Sequence, residues 1–414
     1  MKGYNHRKSP LVLFMALAIS ACVATVEPEW VATYVHKPDT GDNQVTWLHD
    51  MTTDSHGNIL AAGSGINVAT SDGLDRSQDA VIVTFSPEGD ISQVTDLDLA
   101  EGDERSDDQV RRIALDPQDN VYALVHQYGM QDGQSGTSSW LISFDANGSL
   151  RWKERISEDG DVQGLAWHQG RIHTTGNETL AHDAAGNETL RIEHPETARR
   201  SIDFADNGDI VVAGKGVVSR HDAQGNKRWQ YRSEWALINN GSVTVTQSGD
   251  VVFAEGLEDE RGGAVVTRLD TRGNQVWSQT LDPARSSYGA AGPALVMEDY
   301  RGDLYAVASN AEGRRMVKFD ASGSRYWNKT SGEGIVQDAD LTDGGLFIVG
   351  NGYSEKRDGA DGSQIAEAPL DRSVQNTQGS LVVDGSRIYT GYAALDDEDR
   401  FAMFVSRYED QPIN

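Results

Sequence analysis

After its N-terminal segment, the chain places apolar residues in short runs or alternates them with polar residues. The run Ala264–Thr267, which precedes a turn at Asp270, is typical. Alternation with a period of two indicates a half-buried strand, whereas an amphipathic helix needs apolar positions three and four residues apart. The chain also has 43 glycines, which interrupt the pattern before a long helix could form. The pattern therefore predicts an all-β protein built from many short strands.

One phrase, Asp-x-x-Gly-x-x-x-Trp, recurs after these runs. Asp and Asn side chains bond back to the backbone of a turn, and glycine adopts positive φ without steric cost. The Trp returns on the following strand and is large enough to fill a gap between sheets. Each copy therefore predicts a hairpin. Four copies carry the Trp and two replace it: Asp145–Trp152, Asp222–Trp229, Asp270–Trp277, Asp320–Trp327, Asp183–Leu190 and Ser86–Gln93.

A second turn followed by apolar residues, such as Asn207–Ile210, recurs about half a repeat earlier. Its copies are about 40 to 60 residues apart, a period typical of propellers whose blades are four-stranded sheets. We therefore predict an eight-bladed β-propeller over residues 30–410. The last repeat supplies three strands, so the segment Trp30–His36 is predicted to complete the last blade and close the ring. Seven blades are the alternative, because the repeat at 334–369 lacks the Trp.

The predicted blades place tight four-residue turns on one face, which we call the tight-turn face. The remaining connections lie on the opposite face, which we call the long-loop face. Long loops on a rigid scaffold commonly carry function. The blades are predicted at 44–98, 107–157, 162–195, 198–235, 240–282, 291–331, 334–369, and 377–409 with 30–36. The long connections are predicted at Gly63–Asp79, Thr95–Gln109, Gln127–Ser139, Leu257–Gly263, Asp282–Gly292 and Leu395–Arg400.

The first residues, 1–21, have the features of a secretory signal. A positively charged start precedes the apolar stretch Leu11–Ile19, which is too short to span a bilayer. The next residues, Ile19-Ser20-Ala21-Cys22, resemble the bacterial lipobox, and this resemblance implies cleavage before Cys22 and lipidation of that residue. Cys22 is the single cysteine of the chain, which rules out an intrachain disulfide.

Residues 22–29 are predicted to be a lipid-anchored tether that connects Cys22 to the propeller. The residue after the lipobox cysteine is Val23 and not Asp. By the sorting rule familiar from enteric bacteria, this implies attachment to the outer membrane on its periplasmic side. The membrane is then a partner through the lipid at Cys22.

The chain is strongly acidic, with a formal net charge of −28. This charge argues against binding nucleic acid and against direct adhesion to anionic lipid. Much of the acid falls in the predicted long loops, which makes these loops candidates for binding protein partners. The candidate partner-binding residues are Asp96, Asp98, Glu101, Asp103, Glu104, Asp396, Asp397 and Glu398.

No catalytic motif is legible in the chain. It contains no Gly-x-Ser-x-Gly elbow and no His-Glu-x-x-His sequence. We therefore assign no catalytic residue, no metal ligand and no cofactor. Clustered carboxylates can bind calcium, although no Asp-x-Asp-x-Asp-Gly loop is present. The alternative hypothesis is an enzyme or small-ligand binder that holds Ca²⁺ near the channel mouth.

The Asp-x-x-Gly-x-x-x-Trp repeat resembles that of quinoprotein-like (PQQ-like) β-propellers, over nearly all of residues 30–410. That family includes quinone-dependent dehydrogenases and non-enzymatic scaffolds, among them the lipidated propeller subunit of the outer-membrane β-barrel assembly machinery. The lipobox and the chain length look like the second group. The Thr that usually precedes Gly in the quinoprotein motif is absent, and one cysteine cannot form the vicinal pair of the dehydrogenases. The resemblance implies a monomeric, non-enzymatic scaffold for envelope proteins. The residues in place of that Thr are Asn147, Gln224, Arg272 and Ser322.

Overall fold

The computed structural model describes most of the chain after the N-terminal segment. These residues form strands and turns, which confirms the prediction of an all-β protein. None of them lies in a helix that is long and apolar enough to cross a membrane. The predicted signal segment 1–21 and the lipidation site Cys22 lie outside them. The described ranges are 24–25, 27–36, 45–66, 78–99, 106–131, 134–235, 237, 241–258, 263–281, 294–310, 313–332, 334–350, 353–369, 379–398 and 400–410.

Two short strands come first, and the strands after them follow one another in antiparallel groups. The N-terminal strands are β1 (Ala24–Thr25) and β2 (Trp30–Tyr34). The next group is β3 (Val45–Thr53), β4 (Ile59–Ile66), β5 (Gln78–Phe85) and β6 (Ile91–Leu97). It is followed by β7 (Ser106–Leu115), β8 (Val121–Gln131), β9 (Gln134–Phe144) and β10 (Leu150–Ser157).

Four separate four-stranded sheets come next in the chain. The first two are β11 (Gly164–His168), β12 (Arg171–Thr175), β13 (Glu178–Asp183) and β14 (Glu188–Glu193), then β15 (Ser201–Phe204), β16 (Ile210–Gly214), β17 (Val217–His221) and β18 (Lys227–Arg232). The other two are β19 (Ser242–Val245), β20 (Val251–Gly256), β21 (Ala264–Leu269) and β22 (Gln275–Leu281), then β23 (Leu295–Glu298), β24 (Leu304–Asn310), β25 (Gly313–Phe319) and β26 (Arg325–Ser331).

The last strands complete the architecture and bring the two ends of the chain together. They are β27 (Val336–Thr342), β28 (Gly345–Gly350), β29 (Tyr353–Asp358), β30 (Gln364–Pro369), β31 (Ser380–Asp384), β32 (Arg387–Leu395) and β33 (Phe401–Glu409). Strand β2 pairs antiparallel with β33, with Trp30 opposite Arg407 and Tyr34 opposite Met403. Strand β1 pairs parallel with β30, so part of the predicted tether lies on a sheet edge.

The middle strands of each group carry the core, and the outer strands face solvent. Every described residue of β20 and β21 is buried, whereas β22 begins with exposed residues. Apolar side chains of β20 and β21 pack against those of β24 and β25, as in the cluster that contains Val252, Val266 and Val317. The core therefore lies between neighbouring sheets, because each sheet buries its face against the next one.

Carboxylates on the first strand of several groups bind the first strand of the next group. Burial raises the pKa of these acids, and that of Asp338 rises to about 7. The backbone hydrogen bond that each acid accepts lowers its pKa, but burial has the larger effect. The hydrogen-bonded pairs are Asp50 with Ile113 N (2.9 Å), Asp203 with Val245 N (2.7 Å) and Asp338 with Leu381 N (3.0 Å). These side-chain bonds join successive sheets along their innermost strands.

The prediction of a long loop at Gln127–Ser139 is wrong. Strands β8 and β9 continue through it, with Gln127 opposite Ser138 and Gly129 opposite Gly136. The Gln, Gly and Ser residues of this segment are common in loops, but paired backbone groups hold them in a ladder whatever their propensity. Only residues 132–133 remain between the two strands.

Candidate functional site

The repeated turn has the geometry that the sequence predicts. In the copy at Asp270, the carboxylate accepts hydrogen bonds from Arg272 N (2.9 Å) and Asn274 N (2.8 Å). Gly273 has a φ of 83°. A hydrogen bond from the Asn274 side chain (2.9 Å), together with these backbone hydrogen bonds, lowers the pKa of Asp270. Asp145, Asp222 and Asp320 bind their own turns in the same way.

Each motif Trp covers the motif glycine of the next group. The Trp229 indole lies over Gly273, where a Cβ would be 2.7 Å from the ring, and its Nε1 donates to Thr271 O (3.0 Å). This confirms that the repeated Trp residues are packing residues. Trp30 makes the same contact, over Gly89, with Nε1 donating to Pro87 O (3.1 Å). The other pairs are Trp152–Gly186, Trp277–Gly323 and Trp327–Gly362, with Leu190–Gly225 and Gln93–Gly148 where the Trp is replaced.

A recurrent ion pair inside three consecutive sheets was missed at the sequence level. A basic side chain on the third strand binds the acid that ends the first turn of the same sheet. Because both charges are largely buried, the pair holds that turn against the third strand. The signal is a basic residue two positions before the motif Asp in three successive repeats. The pairs are Arg220–Asp209 (2.9 Å), Arg268–Asp250 (2.9 Å) and Lys318–Asp303 (3.0 Å).

A groove of about 810 Å³ opens on the tight-turn face between the β15–β18 and β19–β22 sheets. Asp209 lies in its wall and is bound by both Arg220 and Arg228, whose Nε atoms lie 2.9 Å and 2.8 Å from its carboxylate. The two arginines thus share one buried acid. The sequence pattern predicts function on the opposite face and contains no signal for this groove.

Asp96 and Asp98, two predicted partner-binding residues, lie exposed at the long-loop end of β6. Asp96 is 3.6 Å from Nδ1 of His36, and the Nε2 of that imidazole is 3.5 Å from Asp79. His36 is fully buried and lies two residues after β2, so these contacts hold its imidazole beneath Asp96. Asp96 and Asp98 are the exposed acids of the described residues at this end of the β3–β6 group, and they form an acidic surface there.

A buried carboxylate, Asp108, lies beneath this acidic surface. It accepts hydrogen bonds from Leu99 N (2.6 Å) and from the Ser106 hydroxyl (3.1 Å). Burial raises the pKa of Asp108 to about 7, and the neighbouring charges of Asp98 and Asp79 add to this effect. The folded protein therefore holds a proton on Asp108 at a pH where the unfolded chain has released it.

Replacing Asp108 with asparagine is expected to weaken the dependence of stability on pH. The contribution of Asp108 is complete below its ordinary pKa of 3.8 and is lost as the pH rises through about 7. Relative to wild type, the Asp108→Asn variant should therefore become about 2 kcal/mol more stable as the pH rises from mildly acidic to mildly alkaline. Urea unfolding at both pH values measures this, and an equal effect of the substitution at the two would contradict it.

Asp396, Asp397 and Glu398 lie on the turn between β32 and β33, at the same face. Asp396 accepts two hydrogen bonds from the Arg400 guanidinium, at 2.9 Å and 2.7 Å. Partial burial opposes a lower pKa, but the Arg400 bonds outweigh it and the pKa of Asp396 is lowered. Glu398 is also paired with Arg400 (2.8 Å). Asp396 thus stabilises its own turn, and Asp397 and Glu398 are the exposed acids here.

Glu101, Asp103 and Glu104 lie outside the described residues, so their assignment stays a prediction. Within the described ranges, no three His, Cys, Asp or Glu side chains are arranged to hold a metal ion. The calcium hypothesis likewise remains an untested prediction.

Comparison with known proteins identifies relatives of this architecture. The family described as outer membrane protein assembly factor BamB matches residues 137–366, more than half of the chain. BamB from Moraxella catarrhalis is similar in structure, with a TM-score of 0.53, 13% identity, and coverage of 92% of this chain and 100% of that one. The Dos1 propeller has a TM-score of 0.61, 10% identity, and coverage of 92% and 95%. No curated protein matches the chain.

Proposed function

The chain belongs to the family of the outer membrane protein assembly factor BamB, with a PQQ-like repeat β-propeller fold, and from this premise we propose that it is a non-enzymatic scaffold binding proteins of the bacterial envelope. It is anchored by lipid at Cys22 to the periplasmic side of the outer membrane. The family match supports envelope assembly as the setting, and the lipobox resemblance supports the anchor.

The proposed ring has eight blades, and strand β2 completes the last of them. The succession of antiparallel groups from β3 to β33, in fours except for the last, supports the number. The pairing of β2 with β33 supports the closure, since the last group would otherwise have three strands. Trp30 adds a second argument, because it covers Gly89 as the motif Trp residues cover their glycines. This closure covers the edge of β33 that would otherwise face solvent.

The acidic surface of the long-loop face is the proposed partner-binding site, and one observation carries this proposal. The exposed acids Asp96 and Asp98 lie at this end of one group, and Asp397 and Glu398 lie at the same end of its neighbour. The two groups are bridged directly, with Val45 of β3 opposite Phe401 of β33. A surface with this charge favours a partner that presents lysine or arginine side chains, and it accelerates their encounter.

Neutralising these four acids is expected to weaken partner binding roughly tenfold, since four exposed ion pairs at about 0.3 to 0.4 kcal/mol each amount to about 1.4 kcal/mol. Asp396 is kept, because it is largely buried and holds its turn through Arg400, whereas the carboxylate of Glu398 is mostly exposed although it also lies near Arg400. The measurement is crosslinking in intact cells, followed by titration of each partner identified at two salt concentrations, because salt screens such pairs. The variant is Asp96→Asn, Asp98→Asn, Asp397→Asn and Glu398→Gln.

A matched control removes four acids from the tight-turn face and should bind the same partners as wild type. If the control loses the partners and the test variant keeps them, the binding face is the opposite one. The control variant is Glu88→Gln, Asp90→Asn, Asp206→Asn and Asp361→Asn.

A further inference from the structure

The chain just after Cys22 runs along the outer edge of the β27–β30 group. Ala24 pairs with Ala366 and Thr25 with Glu367, and the two strands are parallel. Strand β30 begins at Gln364, directly after a turn of the tight-turn face, and runs toward the long-loop face. Because β1 runs in the same direction, its N-terminal end points toward the tight-turn face. The backbone at Ala24 therefore enters the sheet from that side of the rim.

The following residues are fixed to the neighbouring group. Glu29 N donates to Arg407 O (2.8 Å), and the Glu29 carboxylate lies 3.0 Å from the Arg407 guanidinium. The Trp30 indole is fixed in turn over the Gly89 turn. The segment from Ala24 to Trp30 is thus attached at both ends, to two adjacent groups. We call this segment the strap.

We propose that the strap sets the orientation of the propeller on the membrane, with the tight-turn rim of the β27–β30 group against the bilayer and the long-loop face turned away from it. This inference rests on the proposed lipid anchor at Cys22. Two residues of extended chain reach at most about 7 Å, so an acylated Cys22 keeps Ala24 close to the lipid headgroups. A flexible linker would allow the propeller any orientation relative to the bilayer, whereas a strap paired with the sheet edge restricts it to one.

The lipid surface that fits this rim is zwitterionic. The turn that faces the bilayer in this arrangement carries Asp358 and the exposed Asp361, and the whole chain is strongly acidic. Anionic headgroups would repel such a rim. The acyl chains therefore supply the attraction, because each buried methylene contributes about 0.8 kcal/mol.

The experiment measures the depth of two labelled sites on lipidated protein in vesicles. Cysteine is introduced at Ala360, on the tight turn before β30, or at Leu395, which is exposed on the long-loop face. Since lipidation occupies the sulfur of Cys22, the new cysteine is the only free thiol that takes a fluorophore. In phosphatidylcholine vesicles that contain spin-labelled lipid, we expect loss of fluorescence at Ala360→Cys and none at Leu395→Cys. Equal quenching at both sites, or the reverse order, would overturn the proposed orientation.

A strap variant, Ala24→Pro with Thr25→Pro, removes the backbone donors of β1. It should still float with vesicles, but the difference in quenching between the two labelled sites should disappear. An unchanged difference would show that pairing of the strap does not set the orientation.

The lipid anchor is tested separately, by comparing flotation of the wild-type chain with that of Cys22→Ser. Failure of the wild type to float would refute the lipid anchor itself. Hydrogen exchange of soluble Cys22→Ser protein then tests the strap alone, and unprotected amides at residues 24–25 would refute it.

Discussion

Replacing Trp30 with alanine is expected to destabilise the protein by about 3 kcal/mol, at the lower end of the range for Trp→Ala because the side chain is only half-buried. The substitution removes the indole from the Gly89 turn and deletes its hydrogen bond to Pro87 O. It also weakens the strand pair that joins the two ends of the chain. Urea unfolding measures the change in the free energy of unfolding.

The control for this prediction is Trp235→Ala, since Trp235 has 44% of its surface exposed. Surface substitutions of this kind usually change stability by less than about 0.5 kcal/mol. If Trp30→Ala costs no more than the control, strand β2 does not hold the last group to the first, and the proposed closure is wrong.

The fold was readable from the sequence because its decisive signals are local. A turn such as Asp270–Gly273 forms through bonds between an aspartate and the backbone two and four residues later, and nothing distant is needed. The Trp that follows at a fixed offset marks the outer strand. Because both signals recur in several repeats, they predict the strand order within each group, since short turns can only join antiparallel neighbours.

Contacts between distant segments could not be predicted in this way. The pairing of β1 with β30 joins residues more than 300 positions apart, and Ala24 and Thr25 carry no pattern that names their partner. Ion pairs such as Arg220–Asp209 have only one signal in the sequence, a basic residue that stands two positions before the motif Asp in successive repeats. The β8–β9 hairpin forms although its residues are common in loops, because the backbone pairing of the two strands outweighs the loop preference of those residues.

The candidate site was predicted in part, for similar reasons. Placing Asp96 and Asp98 at a strand end on the long-loop face followed from the strand order alone. The sequence did not reveal that a buried imidazole, His36, lies beneath Asp96, since the two are brought together through the pairing of β2. The prediction that Asp396 binds a partner overlooks Arg400, a local partner four positions later that occupies its carboxylate.

Replacing Gly273 with alanine is expected to destabilise the protein by about 3 kcal/mol, for two separable reasons. A non-glycine residue in the left-handed region costs about 1 kcal/mol. The new methyl group would also lie 2.7 Å from the Trp229 ring, which must move, and overpacking of this kind costs about 1 to 3 kcal/mol.

Gly170→Ala separates these two contributions. Gly170 has the same φ, 83°, in a turn between two strands, but a Cβ there meets no atom within 4 Å. The Gly170→Ala substitution should therefore destabilise the protein by about 1 kcal/mol, which is the backbone contribution alone. Trp229 fluorescence should change in Gly273→Ala and stay constant in Gly170→Ala, since only the first methyl displaces the indole. If the two substitutions cost the same and Trp229 emission is unchanged in both, the indole is not packed on Gly273, and the repeated motif does not join neighbouring sheets.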